Sequence, residues 1–261
     1  MRLAQTAFRV LVALSAVPGL TCALSGTAHA DRLPLLGSNP TSYTGSASIK
    51  LGVGLVVPVD PDSVSCFLTA TFTDVAGGAT PGTNYDGIVM SGGVFFGESF
   101  AGQTVGSSGN FDVVSGAPSN PLTLHVGAPG QNLDVFDYST NVLTGLGPLV
   151  FPDLDAIGEG SIAILYPFSQ FRVGFEIVGG NGGSATLGFY RADGSLLDSI
   201  GLSGLGDLRY RFATADGTSS IAGILIQNTD PAGIGVDNVC YDQQPTTARA
   251  VTWGSVKSRY R

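Results

Sequence analysis

Lysine is almost missing from this chain: Lys50 and Lys257 are the only two in 261 residues, and charged residues of all kinds make up 12%. Helix surfaces draw on Glu, Lys, Arg and Gln, so a mainly helical chain is excluded. No stretch reads as a long amphipathic helix. Histidine is equally scarce, at two, with His125 the only one beyond residue 30. There is no Gly-x-Ser-x-Gly elbow, so a hydrolytic triad finds no support. A zinc site lacks its usual His and Cys ligands, and the cysteine spacing rules out a CxxC redox or metal motif. The single tryptophan, Trp253, lies near the C-terminal end, so no clear aromatic platform for sugar rings is evident. Beyond residue 30 no apolar run approaches the roughly 20 residues needed to cross a bilayer, and no membrane span is expected in the mature chain.

The N-terminal 30 residues have a different character. Arg2 and Arg9 form a short basic region, residues 10–23 are apolar or small, and Ala28-His29-Ala30 is a small-x-small cleavage pattern. This three-part layout is that of a secretory signal peptide, with cleavage expected after Ala30. Residues 19–21 (Gly-Leu-Thr) make a poor lipidation box for Cys22. The protein is therefore expected to be exported, to the cell surface, the extracellular medium or the periplasm. The mature chain, from Asp31, carries twenty carboxylates against ten Lys and Arg, for a net charge near −10. Residues 31–242 hold all the acids, whereas 243–261 hold Arg249, Lys257, Arg259 and Arg261 and no acid. An acidic body repels phosphate backbones and argues against nucleic-acid binding. The basic end reads as a solvated tail.

What is abundant is glycine, at 38 residues, with Ser, Thr, Val and Phe, a composition of strands and turns. Apolar residues alternate with polar ones along much of the chain. In residues 63–73, Val64, Cys66, Leu68, Ala70 and Phe72 share one face. Val173, Phe175 and Ile177 alternate with Arg172 and Glu176, and Ala185, Leu187 and Phe189 alternate with polar or small neighbours. Ile234, Val236 and Cys240 fall on one face of a last strand. Ala192-Asp193-Gly194 is a tight hairpin signature; residues 179–183 and Ala215-Asp216-Gly217 are looser ones. About a dozen short strands at this spacing predict an all-β fold, an antiparallel β-sandwich of jelly-roll type, as one domain over 31–242. Within it, 45–74 reads as an N-terminal hairpin and 85–242 as the core. Cys66 and Cys240, the two cysteines left after cleavage, are expected to form a disulfide in an oxidising compartment. In the chain-entropy picture so long a closure stabilises by about 5 kcal/mol at most.

Several blocks between Tyr85 and Tyr241 carry a family likeness. They are Gly97-Glu98-Ser99-Phe100-Ala101-Gly102-Gln103-Thr104, Asp155-Ala156-Ile157-Gly158-Glu159-Gly160, Phe189-Tyr190-Arg191-Ala192-Asp193-Gly194-Ser195, Ala222-Gly223-Ile224, and Asp230-Pro231-Ala232-Gly233-Ile234-Gly235-Val236-Asp237-Asn238. On these the region resembles the jelly-roll ectodomains of exported bacterial proteins that are often substrates of the PEP-CTERM (exosortase) sorting system. The resemblance implies fold and location and says little about activity. The Pro-Glu-Pro motif, apolar span and terminal Arg cluster of that system are not found, so sorting by that route is not expected.

Candidate site residues follow from the acids. Carboxylate and carbonyl oxygens suit calcium. Asp237 and Asn238 near the last strand, with Asp86 and Glu98 near the first strand of the core region, are the expected ligands, since a jelly roll can bring its first and last strands together. Asp153, Asp155 and Glu159 offer paired carboxylates of the kind that hydrolyse glycosides, although Pro152, Gly158 and Gly160 around them read as a loop. His125 reads as an ordinary strand residue. The leading expectation is a non-catalytic surface or secreted protein that binds extracellular polysaccharide or matrix. The alternatives are a polysaccharide-acting enzyme using those carboxylates and a purely structural component of the envelope or biofilm.

Overall fold

A computed structural model describes residues 48–50, 55–62 and 67–242. The signal segment with Ala30, the tail 243–261, and Cys66 lie outside the described residues. In chain order the strands are β1 (Ser48–Lys50), β2 (Val56–Pro58), β3 (Leu68–Ala70), β4 (Thr83–Tyr85), β5 (Val89–Ser91), β6 (Val94–Gly97), β7 (Ser99–Phe100), β8 (Thr104–Ser108), β9 (Phe111–Ser115) and β10 (Leu124–His125). They continue with β11 (Leu133–Asp137), β12 (Asn141–Gly145), β13 (Ile162–Gln170), β14 (Arg172–Gly179), β15 (Ser184–Tyr190), β16 (Leu196–Ser203), β17 (Leu208–Thr214), β18 (Ile221–Asn228) and β19 (Ile234–Tyr241).

The last eight strands pair as nested antiparallel partners: β15 with β16, β14 with β17, β13 with β18 and β12 with β19. A ribbon paired in this way and rolled over itself alternates between two sheets, which is the jelly-roll arrangement. One sheet runs β16-β15-β18-β13 and the other β17-β14-β19-β12. Earlier strands extend both. Strands β6 and β5 continue the first sheet and β1 closes its other edge; β11 and β4 continue the second and β2 closes it. The all-β sandwich expected from composition and periodicity is the observed fold.

Alternation along each strand fills the space between the sheets. Val173, Phe175 and Ile177 of β14 face Leu187 and Phe189 of β15 and Ile224 and Ile226 of β18 within one core. Phe189 and Phe212 meet edge to face across the sandwich, with centroids 5.2 Å apart. Such a pair adds to the burial of its own area. The first sheet also buries its outer face. Ala163, Ala222 and Leu225 point outward there, beside Tyr190 of β15, and are covered by Phe100, Val114 and Leu122 in a second cluster. The cover is the segment from β7 to β10, which lies as an extra layer on the sheet.

Two sequence expectations are corrected. The described strands within 45–74 do not pair with one another as a hairpin: β1 pairs with β16, β2 with β17 and β3 with β19. Each of these short strands finds unpaired backbone groups on the C-terminal half, and completing an existing sheet satisfies more hydrogen bonds than an isolated ribbon would. The glycine-rich turns at 179–183 and 215–217 are not hairpins either, since each carries the chain from one sheet to the other. The first is held by Asp230, whose carboxylate accepts the backbone N–H groups of Asn181 (2.8 Å) and Gly183 (2.7 Å). The Ala192-Asp193-Gly194 turn is a true hairpin joining β15 to β16. There Gly194 takes φ +80° and Asp193 accepts the Ser195 N–H at 2.9 Å.

Phe212 is fully buried at the contact between sheets. Phe212→Ala should lower unfolding free energy by about 3–5 kcal/mol, the usual range for deleting a core aromatic, measured by denaturant titration.

Candidate functional site

The outer layer on the first sheet carries the cavity. β6 ends at Gly97, where the backbone of His125 passes so close that an added Cβ would lie 2.8 Å from its carbonyl oxygen. That close approach lets β10 pair with β7 through Leu124 and His125. Between β6 and β7 sits Glu98. Its N–H donates to Asn132 Oδ1 (3.1 Å), and its carbonyl accepts the Ser161 hydroxyl (2.8 Å). With the main chain fixed at both ends, the Glu98 side chain, only 7% exposed, lines a cavity of about 490 Å³. The rim comes from β8, through Thr104, Gly106 and Ser107, and from Gln103, His125 and Gln131.

Asp112 joins Glu98 in the same cavity. It occupies the inward phase of β9 together with Val114, and Val114 is tied to the sheet by its N–H to Gln227 Oε1 (2.8 Å). Asp112 Oδ2 accepts the Ser161 N–H (2.9 Å) and the Ser161 hydroxyl (3.3 Å). Ser161 thus holds both acids, Glu98 by its carbonyl and Asp112 by its carboxylate. Burial pushes the Glu98 carboxyl up to about 7, and the neighbouring Asp112 charge adds to the rise. Burial lifts Asp112 to about 6, with the Ser161 hydrogen bonds opposing. His125 Nδ1 stands 3.8 Å from Glu98 Oε2, and its side chain is half exposed. Two desolvated acids, both raised above the ordinary carboxylate range, face one cavity, and perturbed carboxyls in a recess mark a candidate site.

The other predicted residues lie elsewhere. Asp237 and Asn238 belong to the opposite sheet, on β19. Asp237 accepts the Thr140 hydroxyl (3.0 Å), and Asn238, at φ +49°, donates from Nδ2 to Glu176 (2.9 Å). Burial raises the Asp237 carboxyl. Asp86 follows β4 and accepts the Gly130 N–H (2.7 Å) and the Asn84 amide (2.9 Å). These hydrogen bonds hold its carboxyl below the ordinary carboxylate range. Asn132 links Asp86 to Glu98. Its amide donates to the carbonyls of Tyr85 (2.7 Å) and Gly87 (2.8 Å), while its oxygen takes the Glu98 N–H. Among the described residues no hydrogen bond or ion pair joins Asp237 or Asn238 to Asp86 or Glu98, so the four do not form one ligand set. Strand β19 is separated from β4 by β12 and β11, which is the physical reason.

Of the three acids proposed for glycoside chemistry, Asp153 sits in an exposed turn and accepts the Asp155 N–H (2.9 Å). Glu159 is buried, and its carbonyl accepts the Asp112 N–H at 3.4 Å. None of Asp153, Asp155 and Glu159 lines the cavity of Glu98 and Asp112, so the carboxylates facing it come from different segments than expected. Sequence reading passed over Asp112, yet a signal was present. In Phe111-Asp112-Val113-Val114 an acid takes the same strand phase as a buried valine. Among the described residues no three His, Cys, Asp or Glu side chains converge as a metal-binding group, and no helix is long and apolar enough to cross a membrane. Comparison of the chain with protein-family models, curated proteins and solved structures finds no match.

Raised carboxyl pKa values mean that the folded chain holds protons which the unfolded chain releases. Stability is then greatest where these acids are protonated in the fold, and it falls as pH rises through their folded pKa values. Acidification from about pH 8 to about pH 5 should therefore raise the unfolding free energy. Glu98→Gln should flatten this slope, as read from denaturant midpoints across the range. A steady loss of stability over the same range would contradict the burial of this pair.

Proposed function

We propose that this chain is an exported, non-catalytic jelly-roll protein that binds extracellular polysaccharide or another hydroxyl-rich matrix polymer at the Glu98–Asp112 cavity. The observation that carries the reading is the lining. Carboxylate, carboxamide, hydroxyl and imidazole groups surround one recess on a rigid sheet. Such convergent polar groups orient hydroxylated ligands, and carboxylates accept pairs of sugar hydroxyls. The signal-peptide pattern ending at Ala30 supports export, and the block resemblance to surface ectodomains supports the same address.

A disulfide between Cys66 and Cys240 belongs to this reading. Cys240 is buried on β19 and lies opposite Thr69 of β3, three residues after Cys66 in the chain. Thiol titration of the denatured mature protein should then find no reactive thiol. Cys66→Ala should cost about 2–5 kcal/mol of stability.

A second reading, a polysaccharide-acting enzyme, now rests on Glu98 and Asp112. Asp112, which accepts both Ser161 hydrogen bonds, fits the ionised partner, and the desolvated Glu98 fits the acid that keeps its proton. Release of reducing ends from a polysaccharide panel, abolished in Glu98→Gln, would favour it over pure binding.

The test of binding is affinity electrophoresis against soluble polysaccharides, with Ser107→Trp as the blocked cavity. Ser107 is exposed on the rim, so the variant should fold normally and lose about tenfold or more in affinity. Absence of retention on every polymer would remove the ligand, and wild-type retention by Ser107→Trp would move the site away from the cavity.

A further inference from the structure

On the second sheet, Asn84 of β4, Asp134 of β11 and Thr144 of β12 stand side by side across three strands. Asp134 is opposite Asn84 on one flank and Thr144 on the other. Leu133 and Val135 point into the core between the sheets, so Asp134 belongs to the outer face. Yet Asp134 and Thr144 are completely buried. Their cover is the loop before β4. Gly78 bridges to Phe136 and its carbonyl accepts the Asp137 N–H at 2.8 Å. Gly82, at φ +104°, lies so close over Asp134 that a Cβ there would collide with the carboxylate.

Beneath this loop Asn84 Oδ1, both Asp134 carboxylate oxygens and Thr144 Oγ1 make no hydrogen bond of good geometry; the Thr144 hydroxyl and the Val135 N–H stand near enough to Asp134 to oppose the effect of its burial, without satisfying the row. The Asn84 amide cannot be turned to help, because its Nδ2 already donates to Asp86 Oδ1 at 2.9 Å. Rotation would set oxygen against oxygen. Buried polar atoms without partners are costly and rare in folded proteins. A proton on Asp134, whose carboxyl burial pushes up to about 8, serves one of its own oxygens and a single acceptor. A cation serves several oxygens together. Carboxylate, carboxamide and hydroxyl oxygens, with backbone carbonyls from the covering loop, are the ligand types of calcium. Asp86, on the other side of the Asn84 amide, supplies a second negative charge close by.

We propose that the Asn84–Asp134–Thr144 row is a calcium site that pins the loop over residues 76–82 to the outer face of the sheet. The site is separate from the Glu98–Asp112 cavity and does not depend on what that cavity binds. The test is thermal unfolding of the mature chain stripped with chelator, then supplied with millimolar Ca2+. The melting temperature should rise by about 5 °C or more, and Na+ at equal ionic strength should not reproduce the rise. Asp134→Asn should abolish the rise while melting no lower than the wild type in chelator, since it removes the buried charge. Thr144→Val, which keeps the side-chain shape, should raise the Ca2+ concentration at half effect by about tenfold. Glu98→Gln should keep the full rise. Equal melting temperatures in Ca2+ and chelator, or a full rise retained in both Asp134→Asn and Thr144→Val, would overturn the proposal.

Discussion

Strand β19 holds the molecule together. It pairs with β14 through most of its length, while its other edge is shared between β12 and β3. The end of the domain is thereby inserted between strands that come much earlier in the chain. Every other nested pair, from β13–β18 inward to β15–β16, requires that outer pair to close. The close packing of backbone on backbone at this point is possible because side chains are missing. Gly160 lies against Leu146 so tightly that a Cβ would stand 2.5 Å from its main-chain atoms, and Gly233 packs on Ile157 and Gly158. A jelly roll of this kind uses its glycines as contact surfaces as well as turns.

Once the sandwich is closed, both of its outer faces are partly covered, and there the acids become interesting. On one face the β7–β10 layer encloses Glu98 and Asp112 around Ser161. On the other, the loop over 76–82 encloses Asp134. A chain with few bases has few cations to neutralise these groups: Arg172 pairs with Asp242 and Arg209 with Glu176, away from both, and the half-exposed His125 approaches Glu98. The buried carboxylates must therefore be neutralised by protons, by hydrogen bonds or by something that binds. Desolvating a carboxylate without a partner costs several kcal/mol. The two proposed binding sites both rest on such groups, kept on the covered faces of the sandwich.

Fold class was legible in the sequence because strand periodicity and turn residues act locally. Val173, Phe175 and Ile177, Ala185 with Leu187 and Phe189, and the Asp193-Gly194 turn are found where alternation placed them. Pairing partners were not legible. Residues 45–74 read as a hairpin, yet β1 and β2 join different sheets, and a period of two says nothing about which neighbour completes an edge. Strands β8 and β12 were passed over because Gly and polar residues dilute their alternation. The site was half legible: Glu98 stood out as an acid beside a strand end, whereas Asp112 required knowing that its strand phase faces inward. Asp134 could not have been found, since its phase is opposite to Leu133 and Val135 and reads as solvent. Only the fold reveals the loop that covers it.

The most direct measurement is a carbon-detected NMR titration of the Glu98 and Asp112 carboxyl groups in the mature protein. Two coupled groups titrating together should show apparent pKa values near 7 and 6, well above the ordinary carboxylate range of about 4. Both titrating near about 4 would mean solvated acids, and would contradict the enclosed polar cavity on which the functional reading stands.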